Sequence, residues 1–390
     1  METPPKRIRA TRAFPRTKIF QRPIYIFWLS LLAVCLFAFT FGVSRLYAKK
    51  QHELSVYWFQ RGENALAQGH PREAISELRT ALLYSHEDPQ YLFRLAQALE
   101  ADNRIGEARS YFLNLLEDKP GDGAINLELA RLAARQNDVS HALGSFNGAA
   151  YGAWERDPIS KRQQVRQELI NFLLAKDLKT QARGELLTFT AEMPKNSASE
   201  LWVAQAFSRL GDDRSALDFY KAALRANRAD PEVLVEAGDS AFHLGRYSEA
   251  LDDYRRAAAS GSDAALAQKM QLVSLVLDLN PFESRISTAE RRHRLILAMD
   301  IADRRLRECA EAQRVTLDTA GSTPLQLARS RWLQLDAQIR AGDHHSHWVE
   351  LLTPVTNLIL NIEQQGGCGP AADTDQAALL IYQNAEQLQP

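Results

Sequence analysis

The 390-residue chain has only three cysteines, none in a C-x-x-C pair, which removes a dithiol redox centre or a zinc ribbon. It also lacks a G-x-S-x-G elbow, a P-loop, an H-E-x-x-H helix and a dinucleotide fingerprint. The common hydrolase, nucleotide and metalloprotease chemistries therefore have no residues to start from. No segment shows the period-two alternation of a half-buried strand. Positive charge is scarce beyond residue 50. Ten of the 47 Lys and Arg lie in the first 50 residues, against one of the 48 Asp and Glu, so the rest of the chain carries a net charge of -10. Such a body lacks the clustered positive surface that binds phosphate backbones, and no nucleic-acid partner is expected.

What is present begins with IYIFWLSLLAVCLFAFTFGV, residues 24–43, which is free of charge and as long as the roughly 20 residues a helix needs to cross a bilayer. Tyr25, Trp28 and Tyr47 sit where interfacial aromatics sit. A cleaved signal peptide would have a shorter apolar stretch and an A-x-A site, and none precedes Lys49-Lys50. The reading is a retained transmembrane helix over 23–47 behind a basic tail at 1–22. Seven Lys and Arg precede the span (Lys6, Arg7, Arg9, Arg12, Arg16, Lys18, Arg22) and three closely follow it (Arg45, Lys49, Lys50). That bias places the N-terminus in the cytoplasm and the body outside, so in a bacterium the expectation is a single-pass inner-membrane protein with a periplasmic body. A mitochondrial inner-membrane protein facing the intermembrane space is the alternative.

The body repeats itself. GHPREAISELRTAL at 69 is followed by NRIGEARSYFLNLL at 103, NDVSHALGSFNGAA at 137, DLKTQARGELLTFT at 177, GDDRSALDFYKAAL at 211 and GRYSEALDDYRRAA at 245. The spacing is 34 residues except for one step of 40, the signature of a solenoid. One column reads Ala74, Ala108, Ala142, Ala182, Ala216 and Ala250, as close crossing of two helices requires. Four residues later stand the bulky Leu78, Phe112, Phe146, Leu186, Tyr220 and Tyr254. Three further on, Ala81, Ala149, Ala223 and Ala257 are small, while Leu115 and Phe189 depart. Twelve residues before the alanine column come Gly62, Ala96, Ala130, Ala204 and Gly238, with Ile170 as the exception.

In these columns the chain resembles the tetratricopeptide repeat (TPR) family over residues 55–264, in six helix-turn-helix units. The resemblance implies an all-α solenoid, and binding of protein partners along a groove lined by the first helices. The fifth positions of those helices are Phe59, Phe93, Leu127, Gln167, Leu201 and Val235, and the ninth are Glu63, Gln97, Arg131, Asn171, Gln205 and Asp239. The TPR subclass that clamps a C-terminal carboxylate combines Lys and Asn there, and no unit here does. An apolar column edged by polar residues suits an apolar or amphipathic partner segment, or a second copy of the chain, which would make a homo-oligomeric structural component. The six extra residues around AYGAWERDPI read as tolerated loop length.

Residues 265–282 are expected to cap the solenoid, and 283–390 to form a further helical region with helices near 285–316, 323–341, 344–363 and 373–387. His344, His345 and His347 raise a metal site, but too few converging ligands accompany them, so neither metal nor cofactor is expected. An enzyme built on that cluster is the remaining rival reading. Arg285, Arg291, Arg292, Arg294, Arg304, Arg305 and Arg307 alternate with acids, as on a solvated face. Cys35 lies in the apolar span, and Cys309 and Cys368 are a candidate disulfide if the body is exported. The whole reads as a membrane-anchored scaffold or adaptor of envelope assembly, secretion or export.

Overall fold

The computed structural model describes residues 23–384 apart from 86, 262, 284, 318–320, 342–347 and 366–367. The basic tail at 1–22 and the histidines at 344–347 lie outside the described residues. Among those described there are seventeen α-helices and no strand. The chain divides between Val165 and Arg166 into two compact units.

The first unit opens on α1 (Pro23–Ala67), 45 residues without interruption. Its apolar part is long enough to cross a membrane by length and composition, and none of that window is buried. The stretch AKKQHEL, residues 48–54, which lies between the expected span at 23–47 and the solenoid from 55, simply continues the helix. The C-terminal end of α1 packs against α2 (Pro71–Tyr84) as the first helix of a hairpin. The next pairs are α3 (Pro89–Ala101) with α4 (Ile105–Asp118), and α5 (Gly123–Arg135) with α6 (Val139–Tyr151). Both the alanine and the bulky columns lie on the second helix of each pair, where Leu78 meets Gly62 and Phe112 meets Phe93 of the first; Ala74, Ala108, Ala142, Leu78 and Phe112 are fully buried. At Gly62 even a Cβ would stand 2.6 Å from the Leu78 side chain, so this crossing demands glycine.

Local chemistry sets the ends of the helices. Asp88 and Asp122 cap α3 and α5 by accepting hydrogen bonds from backbone N–H groups of the first turn, and Pro89 fits the first helical position of α3. The turn inside each hairpin holds one residue at positive φ: Gly69, Asn103, Asn137, Asp177, Gly211 and Gly245. Only glycine, asparagine and aspartate stand there, the residues that enter the left-handed region at least cost. These are the first letters of the six repeated stretches.

The second unit begins within α7 (Pro158–Ala175) and continues with α8 (Lys179–Glu192), α9 (Ser197–Leu210), α10 (Asp213–Ala223), α11 (Pro231–His243) and α12 (Tyr247–Ala258). Then come α13 (Ala264–Leu279), α14 (Thr288–Gln313), α15 (Pro324–Ala341), α16 (Trp348–Gln364) and α17 (Asp373–Gln383). Ser287 caps α14 by accepting from the N–H of Glu290 at 3.1 Å. One buried core runs from Ile170 to Tyr382.

Two features of this unit were not expected. α13 stacks on α12 as a first helix would, but its main partner on the other side is α17, not the adjacent α14. Tyr382 packs edge-on against Phe282, and Gln271 donates to Asp373 at 2.8 Å. The arginines of α14 also do more than coat a solvated face. Arg294 donates to the carbonyls of Leu277 and Asn280, and Arg292 to those of Ile339 and Arg340, closing the carbonyl ends of α13 and α15. Arg305 is buried; it pairs with Glu363 at 2.7 Å and donates to the carbonyls of Cys368 and Gly369. A disulfide joins Cys309 to Cys368 beside it.

Candidate partner-binding groove

In the first unit α1, α3 and α5 expose their fifth and ninth positions to one groove of about 730 Å³. Six of the eleven candidate residues line it: Phe59, Glu63, Phe93, Gln97, Leu127 and Arg131. The apolar ones are held rigidly. Phe59 stacks on Tyr91 with ring centroids 4.3 Å apart, Phe93 meets Phe112 edge-on at 5.4 Å, and Leu127 is 6% exposed. Phe59 and Phe93 are half-buried, which leaves part of each ring to a visitor.

The ninth positions are engaged with one another across the repeats. Arg94 bridges to Glu63 at 2.9 Å and donates to Gln97 at 2.8 Å; Gln97 donates to Glu128 at 2.9 Å, and Arg131 reaches Glu128 at 3.4 Å. This ladder ties α1 to α3 and α3 to α5 while forming one rim. Next to it, burial and then the charge of Glu128 push the Glu100 carboxyl above its usual range, opposed by Arg135 at 3.0 Å.

The insertion after α6 is more than loop length. Ala153 donates to the Gly121 carbonyl at 2.7 Å and accepts from the Gly123 N–H at 2.8 Å, folding the loop back onto the start of α5. The Trp154 indole donates to the Ala149 carbonyl at 3.0 Å. Trp154, Glu155 and Arg156 thereby join the groove wall, with Lys161 and Gln164 of α7. This docking depends on Gly123, where a Cβ would lie 2.4 Å from the indole. Gly123→Ala is expected to lever Trp154 out at an overpacking cost of about 1–3 kcal/mol. Amide exchange over 152–156 should then quicken roughly 5- to 150-fold while α3 and α4 keep their protection. Unchanged exchange would show that the loop is held by other contacts.

The other five candidates lie in the second unit and are largely spoken for. Asn171 accepts from Arg209 at 3.2 Å, and Gln205 donates to Glu236 at 3.3 Å. Asp239 accepts from the Tyr254 hydroxyl at 2.7 Å and from Lys269 at 2.6 Å. Burial, with this hydrogen bond, drives the Tyr254 phenol upward. Leu201 and Val235 pack partly against the core. No group of three or more His, Cys, Asp or Glu placed to hold a metal occurs among the described residues.

The family model of the tetratricopeptide repeat matches residues 59–123, 102–158 and 200–265. These segments are tetratricopeptide repeats. The stretch between them, 159–199, lies outside the match; it contains the fourth of the repeated stretches, where Ile170 stands in the column otherwise held by glycine or alanine. No curated protein matches the chain. Solved structures of similar fold include PilW, a type IV pilus biogenesis factor, with 16% identity over 56% of this chain and 98% of that one and a TM-score of 0.40. Another is YrrB, a TPR protein with an unusual peptide-binding site, with 15% identity over 50% and 97% and a TM-score of 0.40. A third is pilF of Pseudomonas aeruginosa, with 18% identity over 49% and 81% and a TM-score of 0.33. With TM-scores below 0.5 these likenesses decide nothing here, and it is the family model that carries the TPR fold. That fold is one of protein–protein interaction scaffolds.

Proposed function

We propose that this TPR protein is a single-pass scaffold of the inner membrane, anchored through residues 23–47 with its N-terminus in the cytoplasm and its body in the periplasm. There it holds a partner protein in the groove of the first unit during envelope assembly, secretion or export. The observation that carries this reading is the convergence of Phe59, Phe93 and Leu127 on one groove whose polar rim is already satisfied by its own ladder. A floor of partly exposed, rigid rings beside a prepaid rim favours an apolar or amphipathic segment, because its apolar side chains gain burial without stranding polar groups. The charge bias around the span supports the orientation. The Cys309–Cys368 disulfide is in keeping with an oxidising compartment.

The test is selection of a displayed peptide library on the full chain in lipid nanodiscs, with the selected peptides titrated afterwards. Peptides sharing an apolar anchor should emerge, and Phe93→Glu should weaken them about 30-fold or more, as removal of a central anchor does. Peptides that bind Phe93→Glu as tightly as the parent would sink the groove reading.

A further inference from the structure

Outside α1, the two most exposed large apolar side chains among the described residues are Tyr151 at 72% and Ile159 at 71%. Tyr151 ends α6 and Ile159 lies in the first turn of α7. They flank one contact, in which Arg162 donates to the Gly152 carbonyl at 3.2 Å, so both belong to one patch of the first unit. Single apolar residues scattered over a surface are ordinary, whereas a pair at one edge marks an interaction surface.

The direction of α1 shows which way that edge looks. Ser55 and Glu63 of α1 meet Tyr91 and Arg94 of α3 at 3.5 and 2.9 Å. Gln97 and Glu100 of α3 meet Glu128 and Arg135 of α5 at 2.9 and 3.0 Å. The three first helices thus run in one direction, away from the apolar span. Tyr151 lies at the start of α5, because Ala153 is hydrogen-bonded to Gly121 and Gly123. The patch is on the edge from which α1 enters, the one that looks back at the membrane. The opposite edge, formed by the turns QGH at 68–70, DNR at 102–104 and QND at 136–138, has no apolar side chain.

The patch is also near enough to touch. Twelve residues of helix separate Val43, the last of the apolar run, from Ser55, which sets the start of α3 about 18 Å beyond the hydrocarbon edge. Tyr151 and Ile159 stand two to three helix spacings of about 8–10 Å to one side. A tilt of α1 toward them of about 20°, the average for a spanning helix, lowers them by about 8 Å. Their backbone then lies about 9 Å from the hydrocarbon and about 3 Å from a headgroup layer roughly 6 Å deep. Tyrosine and isoleucine side chains both cover that gap. The charges around them, Glu155 and Asp157 against Arg156, Lys161 and Arg162, nearly cancel, so no anionic lipid is required.

On the reading of α1 as a membrane anchor, we infer that Tyr151 and Ile159 are a second foothold on the bilayer, seated among the headgroups of zwitterionic lipid. Tyrosine suits that layer, its ring apolar and its hydroxyl wet. The first unit then leans over the membrane on two supports, and its groove keeps a set angle to the surface.

The test uses the full chain in phosphatidylcholine vesicles that contain lipids with a nitroxide on the headgroup. A bimane fluorophore is placed at Ser160→Cys, beside the patch, or at Gln136→Cys, on the opposite edge, each with Cys35→Ser. Quenching at 160 should exceed that at 136 about threefold or more, as for apolar surface seated in the interface. In the double variant Tyr151→Glu/Ile159→Glu, whose side chains are exposed and hold no part of the core, quenching at 160 should fall to the level at 136. Equal quenching at the two positions, or quenching at 160 that survives the double variant, would overturn the inference. The anchor is read separately, from a fluorophore on the natural free Cys35 against a nitroxide deep in the acyl chains. Absence of quenching there takes down the anchoring itself, whereas quenching at Cys35 without quenching at 160 strikes the foothold alone.

Discussion

Replacing Phe112 by alanine is expected to lower the stability of the first unit by about 3–5 kcal/mol, the usual cost of emptying a fully buried phenylalanine site. The ring belongs to the core that α1 to α5 share, and in a repeat array each interface stabilises its neighbours, so the loss should spread to the flanking repeats. It should also reach the groove. Phe112 is the edge-on support of Phe93 at 5.4 Å, and without it Phe93 can sink into the cavity and take its exposed face with it. Urea unfolding of the full chain in detergent, followed by amide exchange in α3 and α4, measures the first effect. Titration with peptides selected on the parent protein measures the second. A Phe112→Leu variant, which keeps much of the volume, should lose distinctly less in both. If stability falls while affinity holds, Phe93 is fixed by its own helix and not by this contact.

Loss of the Cys309–Cys368 bond is expected to be nearly as costly. The two cysteines are 59 residues apart, and freeing a loop of that size in the unfolded chain corresponds to about 4 kcal/mol in the chain-entropy treatment. The damage should start at α17. That helix is tied to the rest by the bridge, by Arg305 on the carbonyls of Cys368 and Gly369, and by Arg304 on Thr374 and Asp375. In the double variant Cys309→Ala/Cys368→Ala, amides of α17 and of the α13 face beneath it should exchange first, and the urea midpoint should fall. Thiol trapping in intact cells should find both sulfurs oxidised if the body is exported. Free thiols in vivo would count against the proposed orientation.

How far the sequence reveals this protein depends on distance along the chain. The hairpins were legible because their contacts recur at a fixed period. Each alanine column reports one crossing, and the glycine, asparagine or aspartate that opens each repeated stretch reports one left-handed turn. The caps at Asp88 and Ser287 are equally local, each side chain accepting from the first turn of its own helix. What escaped lacks a period. Residues 48–54 look like a break between two elements, yet a helix needs no apolar face where it touches nothing. Trp154 sits in an insertion without counterparts in the other repeats, so no column could assign it to a wall. The arginines of α14 alternate with acids as on a solvated surface, and only tertiary structure shows which of them find carbonyls. At the ninth positions, residue types were readable, but the partners each would take were not: Asp239 is locked by Lys269 and Tyr254, and Gln97 by Arg94 and Glu128.

The pairing of α13 with α17 carries a kinetic consequence. As the chain is made, α13 is finished and can pack on α12 while its partner on the other side is still unmade, and α17 follows roughly a hundred residues later. At 5–20 residues per second that interval is about 5–20 s. Throughout it the side of α13 that α17 will cover lacks its cover. The pairing of α13 with α17 is thus a closure between distant parts of the chain, whereas the hairpins of the repeats join neighbours in sequence and form quickly. A nascent chain stalled in that window would be the form most in need of a chaperone.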